Sequence, residues 1–205
     1  MPKIIIEQRK TPRQRRSEFT REMILEAAAR VLSKKSLEGF NTNYVAEVAG
    51  VSIGTLYQYF PNKESLIAVL IERTQKGYET LGNQLRHDTE GMSLRDALLE
   101  MARVAVDQKY SEPLLAAALD HQELRLPVEH ILIDAEQRCI DGFKTFLLRY
   151  PEFSNTLPGY VPRDCLTISK AMVEEGLRNS PKTQSDLAVR ITCALMGYLK
   201  EIIAR

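Results

Sequence analysis

Val45-Ala46-Glu47-Val48-Ala49-Gly50-Val51-Ser52-Ile53-Gly54-Thr55-Leu56-Tyr57-Gln58-Tyr59-Phe60 decides how this chain folds. The stretch reads as two short helices joined by a tight turn. Gly50 supplies the turn, because glycine enters positive φ without a Cβ penalty. Ser52 offers a hydroxyl to cap the second helix. Val45, Ala49, Val51, Leu56 and Tyr59 fall at the spacing of an inward face, and Ala46 is small where two helices must approach. Helix, turn and helix at this spacing form the arrangement that lays its second helix in a DNA major groove.

The second helix is expected from Ile53 to about Tyr59. Leu56 and Phe60 point to the core. Ile53, Thr55 and Gln58, and partly Tyr57 and Tyr59, are left on the outer face. Gln58 can pair with adenine N6 and N7, and Thr55 or Ile53 can touch a thymine methyl. No Arg or Lys lies on this helix, so bidentate guanine reading is not expected of it. Gly54 gives up about 1 kcal/mol of helix propensity relative to Ala. In return it allows close backbone approach, either to DNA or to a packing neighbour.

Upstream, Ser17 is the expected N-cap of a helix from Glu18 to Ser33. Its apolar face is read as Phe19, Met23, Ala27 and Val31 with Ile24, Ala28 and Leu32. This face and Phe40 complete a three-helix core. Thr42 is the expected cap of the next helix, where a hydroxyl also stands beside backbone N–H groups that can meet a phosphate. Downstream, Asn62 caps a further helix and Glu64 suits its first turn. That helix carries Leu66, Ile67, Leu70 and Ile71 and runs to about Leu85. Lys63 is the only cation beside the reading helix.

Charge is unevenly spread. Residues 1–63 hold 11 Lys and Arg against 6 Asp and Glu, and the rest hold 17 against 21. The first-third excess lies in residues 1–16, where Lys3, Arg9, Lys10, Arg13, Arg15 and Arg16 face only Glu7. Such an arm suits phosphates or a minor groove beside a docked helix.

With 205 residues and 44% apolar content the chain can bury a sizeable core. No apolar run approaches the roughly 20 residues that span a bilayer. Ile4 to Ile6 is followed at once by charge, unlike a signal peptide. The expectation is a cytoplasmic protein with no membrane partner. Cys139, Cys165 and Cys193 are widely spaced and fit free thiols. His87, His121 and His130 lack metal-ligand spacing, and no Gly-rich phosphate loop or nucleophile motif is present. No catalytic residue, metal or cofactor is therefore expected.

Ala49-Gly50-Val51-Ser52-Ile53-Gly54-Thr55-Leu56-Tyr57-Gln58-Tyr59-Phe60-Pro61-Asn62-Lys63-Glu64 closely resembles the signature of the TetR family of bacterial transcriptional regulators. Ile24-Leu25-Glu26-Ala27-Ala28-Ala29-Arg30-Val31-Leu32 is similar to that family's first helix. The likeness covers about residues 12–72. It implies an all-α homodimer with about nine helices per chain. It also implies a small-molecule effector, bound in the C-terminal body, that controls attachment to double-stranded operator DNA. By motif position, phosphate contacts fall on Thr42, Tyr57 and Lys63. Base contacts fall among Asn43, Ile53, Gly54, Thr55, Gln58 and Tyr59. One departure is that Ser36-Leu37 follows the first helix where the family usually has Gly and an aromatic, with Gly39-Phe40 displaced onward.

Beyond residue 85 only physical patterns guide the reading. Ser93 with Asp96 resembles a capping box for a helix through Leu94, Leu98, Met101 and Ala105 towards Tyr110. Pro113 opens a helix ending near Leu124. Pro127 opens a long one through Ile131, Ala135, Cys139, Phe143, Phe146 and Leu147. A loop is expected over 151–162, then helices over Arg163–Leu177 and Ser185–Ala204. In the resembled family the last two helices pair with their twins. The expected dimer interface is therefore Val173, Leu177, Leu187, Ile191, Leu195, Tyr198, Leu199 and Ile202. The competing reading is that these residues only close the monomer core. A pocket between body helices suggests Met101, Gln108, His121, Phe143 and Met172 as ligand contacts.

The expected organisation is a basic arm over 1–16, a helix-turn-helix domain over 17–63, a connecting helix over 64–85, and a ligand-binding and dimerisation domain over 86–205. The function that fits is a ligand-responsive repressor. Its rivals are a constitutive DNA-binding protein without a ligand switch, a helical protein-interaction module and, last, an enzyme.

Overall fold

The computed structural model of the chain describes residues 15–154, 157–179 and 184–204, side chains excepted at 15, 16, 177–179, 184 and 185. Most of the basic arm lies outside these residues. Every regular element among them is helical: α1 (Arg15–Lys35), α2 (Thr42–Val48), α3 (Ile53–Tyr59), α4 (Lys63–Asp88), α5 (Leu94–Ser111), α6 (Pro113–Glu123), α7 (Glu129–Leu147), a 3-10 turn (Pro151–Phe153), α8 (Val161–Asn179) and α9 (Gln184–Ile203).

The chain divides into two compact units, unit 1 formed by residues 1–76 and 112–133 and unit 2 by 77–111 and 134–205. Unit 1 takes in the first part of α4, together with α6 and the turn after it. Its core joins Ile24, Leu25, Ala28 and Leu32 of α1 to Val45, Leu56 and Phe60, to Leu66, Ile67 and Ile71 of α4, and to Ala118, Leu119, Leu126 and Val128. A three-helix head alone would leave the second side of α1 open, and α6 packs there.

α1 begins before Ser17, so Ser17 lies within the helix and does not cap it. Its hydroxyl stands 2.9 Å from that of Tyr59. Phe19 is 67% exposed and Met23 36%, contrary to the expected face. The row 19, 23, 27, 31 drifts by about 40° per step on a 3.6-residue helix, so it begins outside and ends inside. Leu25 takes the inner place. Ser36, after α1, adopts φ +55°. This is the left-handed conformation that glycine enters without a Cβ penalty, held here by a residue that carries a Cβ.

Unit 2 is built from α5, α8 and α9, which pack on one another, with Phe143, Phe146 and Leu147 of α7. Phe146 sits 5.4 Å from Phe143 and 5.5 Å from Tyr150, ring centre to ring centre. Ser93 caps α5 by accepting from Asp96 N at 3.2 Å, and its hydroxyl donates to the Asp96 carboxylate at 2.6 Å. Pro127 stands outside α7, which starts at Glu129. Part of the expected 151–162 loop is ordered as the 3-10 turn, and Phe153 is buried there.

The expected dimer face is largely a core face. Leu187, Ile191, Leu195 and Leu199 are each no more than 3% exposed and Val173 8%, all in the core of unit 2. Their stripe on α9 is taken up by α5 and α8. Tyr198 is half-buried and donates to Asp164 at 2.5 Å, joining α9 to α8. Ile202 is half-buried, and the Leu177 side chain lies outside the described residues. Val189, Cys193, Gly197 and Lys200 form the opposite, exposed face of α9.

Candidate nucleic-acid interface

Two caps and two hydroxyl pairs fix the surface of the helix-turn-helix. Asn41, not Thr42, caps α2, and its side-chain oxygen accepts from Tyr44 N at 2.8 Å. Asn directly before a helix is among the strongest cap signals, and it could have been read from the sequence. Thr42 occupies the first helical position, where its hydroxyl pairs with that of Tyr57 at 3.0 Å. That pair ties the start of α2 to the outer side of α3. Gly50 turns the chain at φ +67°. Ser52 then caps α3, accepting from Thr55 N at 3.0 Å and pairing with the Thr55 hydroxyl at 2.9 Å.

α3 buries Leu56 and Tyr59, and Phe60 follows at 0% exposure. Ser52, Ile53, Gly54, Tyr57 and Gln58 are exposed, and Thr55 is half-buried. Successive residues turn by about 100°. Gly54 and Gln58 therefore lie at the centre of the outward face, with Ile53 and Tyr57 on one flank and Thr55 on the other. Tyr59 leaves the base-reading set: it is 5% exposed and its hydroxyl is held by Ser17. The inward reading of Tyr59 is the correct one. Ser17 itself gave no sign of this role, because the bond spans 42 residues.

Asn43 is exposed on α2. Lys63 is half-buried at the start of α4, its ammonium 5.5 Å from the Phe40 ring centre and 3.5 Å from the Leu37 carbonyl. Reaching a phosphate would mean leaving that seat. Asn62 caps α4, accepting from Ser65 N at 2.7 Å.

The five expected ligand contacts do not gather at one site. His121 is exposed in unit 1, Gln108 is exposed on α5, Phe143 is buried in the core of unit 2, and Met101 and Met172 edge that core. None lines the open cleft of about 620 Å³ bounded by Leu94, Arg95, Glu152, Met196 and Ile203. The Tyr110 hydroxyl, which the sequence did not single out, is buried with no hydrogen-bond partner. It stands beside Gly176, where a Cβ would come within 2.7 Å of it. Among the described residues no group of three His, Cys, Asp or Glu could hold a metal ion. Among the same residues no helix is long and apolar enough to cross a membrane.

Residues 24–70 match the family model for the bacterial regulatory proteins of the tetR family. The transcriptional repressor KstR of Rhodococcus jostii is 33% identical over 101 residues, 48% of this chain and 45% of that protein. The transcriptional regulator EthR of Mycolicibacterium smegmatis is 35% identical over 92 residues, 40% of this chain and 42% of that one. The match thus spans less than half the length of either relative. Structural likeness extends further. A TetR-family regulator of Streptomyces coelicolor superposes with TM-score 0.72 at 18% identity, over 91% of this chain and 83% of that one. GusR of Salmonella enterica superposes with TM-score 0.66 at 21% identity, over 88% and 95%. At such identities the likeness speaks for the fold, while the helix-turn-helix carries the sequence match. The helix-turn-helix region, residues 24–70, is that of the TetR family of bacterial transcriptional regulators, and the rest of the chain shares the fold of the solved members.

Proposed function

We propose that the chain is a ligand-responsive repressor. As a homodimer in the cytoplasm it would hold two α3 helices on a two-fold symmetric, double-stranded operator and release them when a small molecule binds unit 2. One observation carries the reading. α3 turns Ile53, Gly54, Tyr57 and Gln58 outward, while Ser52 and the Thr42–Tyr57 pair fix its orientation. Phosphate contacts are assigned to Thr42, Tyr57 and Lys63, and base contacts to Asn43, Ile53, Gly54, Thr55 and Gln58. The similar KstR of Rhodococcus jostii is a transcriptional repressor.

One half-site gives limited affinity, and two-fold pairing supplies the second. The outer face of α9 suits that contact, with Cys193 and Gly197 small enough for close helix approach. The unpartnered Tyr110 hydroxyl supports an effector site in unit 2, since a buried polar group without a partner is costly unless a ligand supplies one. α4 and α7 each run from one unit into the other. Coupling through them must be reciprocal: effector and operator weaken each other's binding by the same factor.

The test is to select bound duplexes from a random pool and then screen metabolites for release of the best one. Tyr57→Ala should weaken selected and scrambled duplexes alike, and Lys63→Ala should lower the salt slope by about 1. Tyr110→Phe should keep the fold and blunt release. Undiminished duplex binding by both Tyr57→Ala and Lys63→Ala would defeat the assignment of the reading head.

A further inference from the structure

We infer that the operator half-site facing α3 is an A·T step read through a thymine methyl and an adenine edge, with Gly54 as the residue that admits the methyl. The inference rests on the DNA-binding reading above and names the base chemistry at that same surface. Its starting point is what the folded surface leaves available. Tyr59 is buried, the Tyr57 hydroxyl is paired with Thr42, and the Thr55 hydroxyl is paired with Ser52. What remains on the outward face is the Gln58 amide and the bare backbone of Gly54 at its centre, with Ile53, at 36% exposure, and the half-buried Thr55 on the flanks.

That inventory selects among bases. Guanine O6 and N7 call for Arg or Lys, and cytosine N4 calls for a carboxylate. Residues 53–59 contain no charged side chain. Adenine N6 and N7 match a bidentate amide, and the thymine C5-methyl is the one apolar group on a major-groove edge. Gly54 has only the Ser52 hydroxyl oxygen near the place of a Cβ, at 3.7 Å. Packing inside the protein therefore does not require glycine there, and φ is ordinary. The missing Cβ leaves a shallow notch between Ile53 and Gln58 on the exposed side. Gly54 and Gln58 are one turn apart, about 6 Å along the axis. The methyl and the adenine edge should therefore lie within about two base-pair steps of each other.

The experiment uses the full chain and the best duplex from the random pool. Each thymine is replaced in turn by deoxyuridine, which removes only the methyl. One position per half-site should lose about fourfold in affinity, the expected effect of one buried methyl. Gly54→Ala should fold at least as stably, because alanine is the better helix former. It should weaken binding to the thymine duplex and abolish the difference between thymine and deoxyuridine at that position. Gln58→Ala should lose about tenfold or more at the adjacent adenine, with the preference there relaxed. Selected half-sites with guanine at the contacted positions would overturn the inference, as would deoxyuridine without effect anywhere or Gly54→Ala with the thymine preference intact. Each of these outcomes leaves the DNA-binding reading standing. Absence of any selective duplex binding would instead defeat that reading.

Discussion

Unit 1 and unit 2 both bury aliphatic and aromatic side chains, but they treat their polar groups differently. In unit 1 short polar bonds sit at the surface and fix its shape: Asn41 on Tyr44 N, Ser52 on Thr55, Thr42 on Tyr57 and Ser17 on Tyr59. In unit 2 long helices pack through Leu, Ile and Phe; Ser93 on Asp96 and Tyr198 on Asp164 are polar bonds there too, but among the described residues one hydroxyl, that of Tyr110, stays buried and unpaired. The first pattern suits a surface that must match a rigid partner. The second suits a core that accommodates a guest, because apolar packing tolerates rearrangement at less cost than broken polar bonds.

The largest effect should come from emptying either core. Phe60→Ala in unit 1 and Phe146→Ala in unit 2, both at 0% exposure, should each cost about 3–5 kcal/mol. Calorimetry should find each substitution lowering a different transition. A single transition lowered equally by both would merge the two units thermodynamically.

Alkaline pH comes next, and it should act on unit 2. Burial pushes the Cys165 thiol from its ordinary 9.0 up to about 12. Burial, with the hydrogen bond to Asp164 second, raises Tyr198 above its ordinary 10.0. Burial also raises Tyr110. These groups resist losing protons only when folded. Their contribution is whole below about pH 9 and falls as the pH climbs from 9 through 12. For Cys165 alone the loss is about 1.4 kcal/mol per pH unit in that window. Alkaline titration followed by circular dichroism should show the loss, and Cys165→Ser should make it shallower. An alkaline limb unchanged by that substitution would contradict the assignment.

Matched caps give a smaller comparison. Ser52→Ala and Ser93→Ala remove the same kind of bond from α3 and α5 and should each cost about 1 kcal/mol in denaturant melts. Only Ser52→Ala should also weaken duplex binding. The smallest change is favourable. Ser36→Gly relieves a left-handed residue at φ +55° and should raise stability by about 1 kcal/mol.

The contrast between the units also explains what could be read from the sequence. Helix boundaries around the reading head are written in local chemistry: Gly50 at positive φ, Ser52 and Asn62 as caps. Those signals act over three residues and need no tertiary information. The single helices followed from them and from the apolar periodicity, while the all-α architecture as a whole was what the family resemblance implied. Unit 2 offered a stripe on α9 that any partner could cover. Whether α5 or a second copy covers Leu187, Ile191, Leu195 and Leu199 depends on packing between distant segments, and periodicity cannot tell the two apart. Tyr59 failed as a base reader for the same reason, since its partner Ser17 lies on another helix. Phe19 failed for a geometric one, the drift of an i, i+4 row.

The most direct measurement is fluorescence anisotropy of the full chain with its best selected duplex and with a scrambled duplex of equal length and composition, at one salt concentration. The native chain should prefer the selected duplex by about a thousandfold or more. Gln58→Ala should bind the scrambled duplex unchanged and lose about tenfold or more on the selected one. Equal affinity of the native chain for both duplexes, or a Gln58→Ala chain with its preference intact, would contradict the claim that α3 reads the operator.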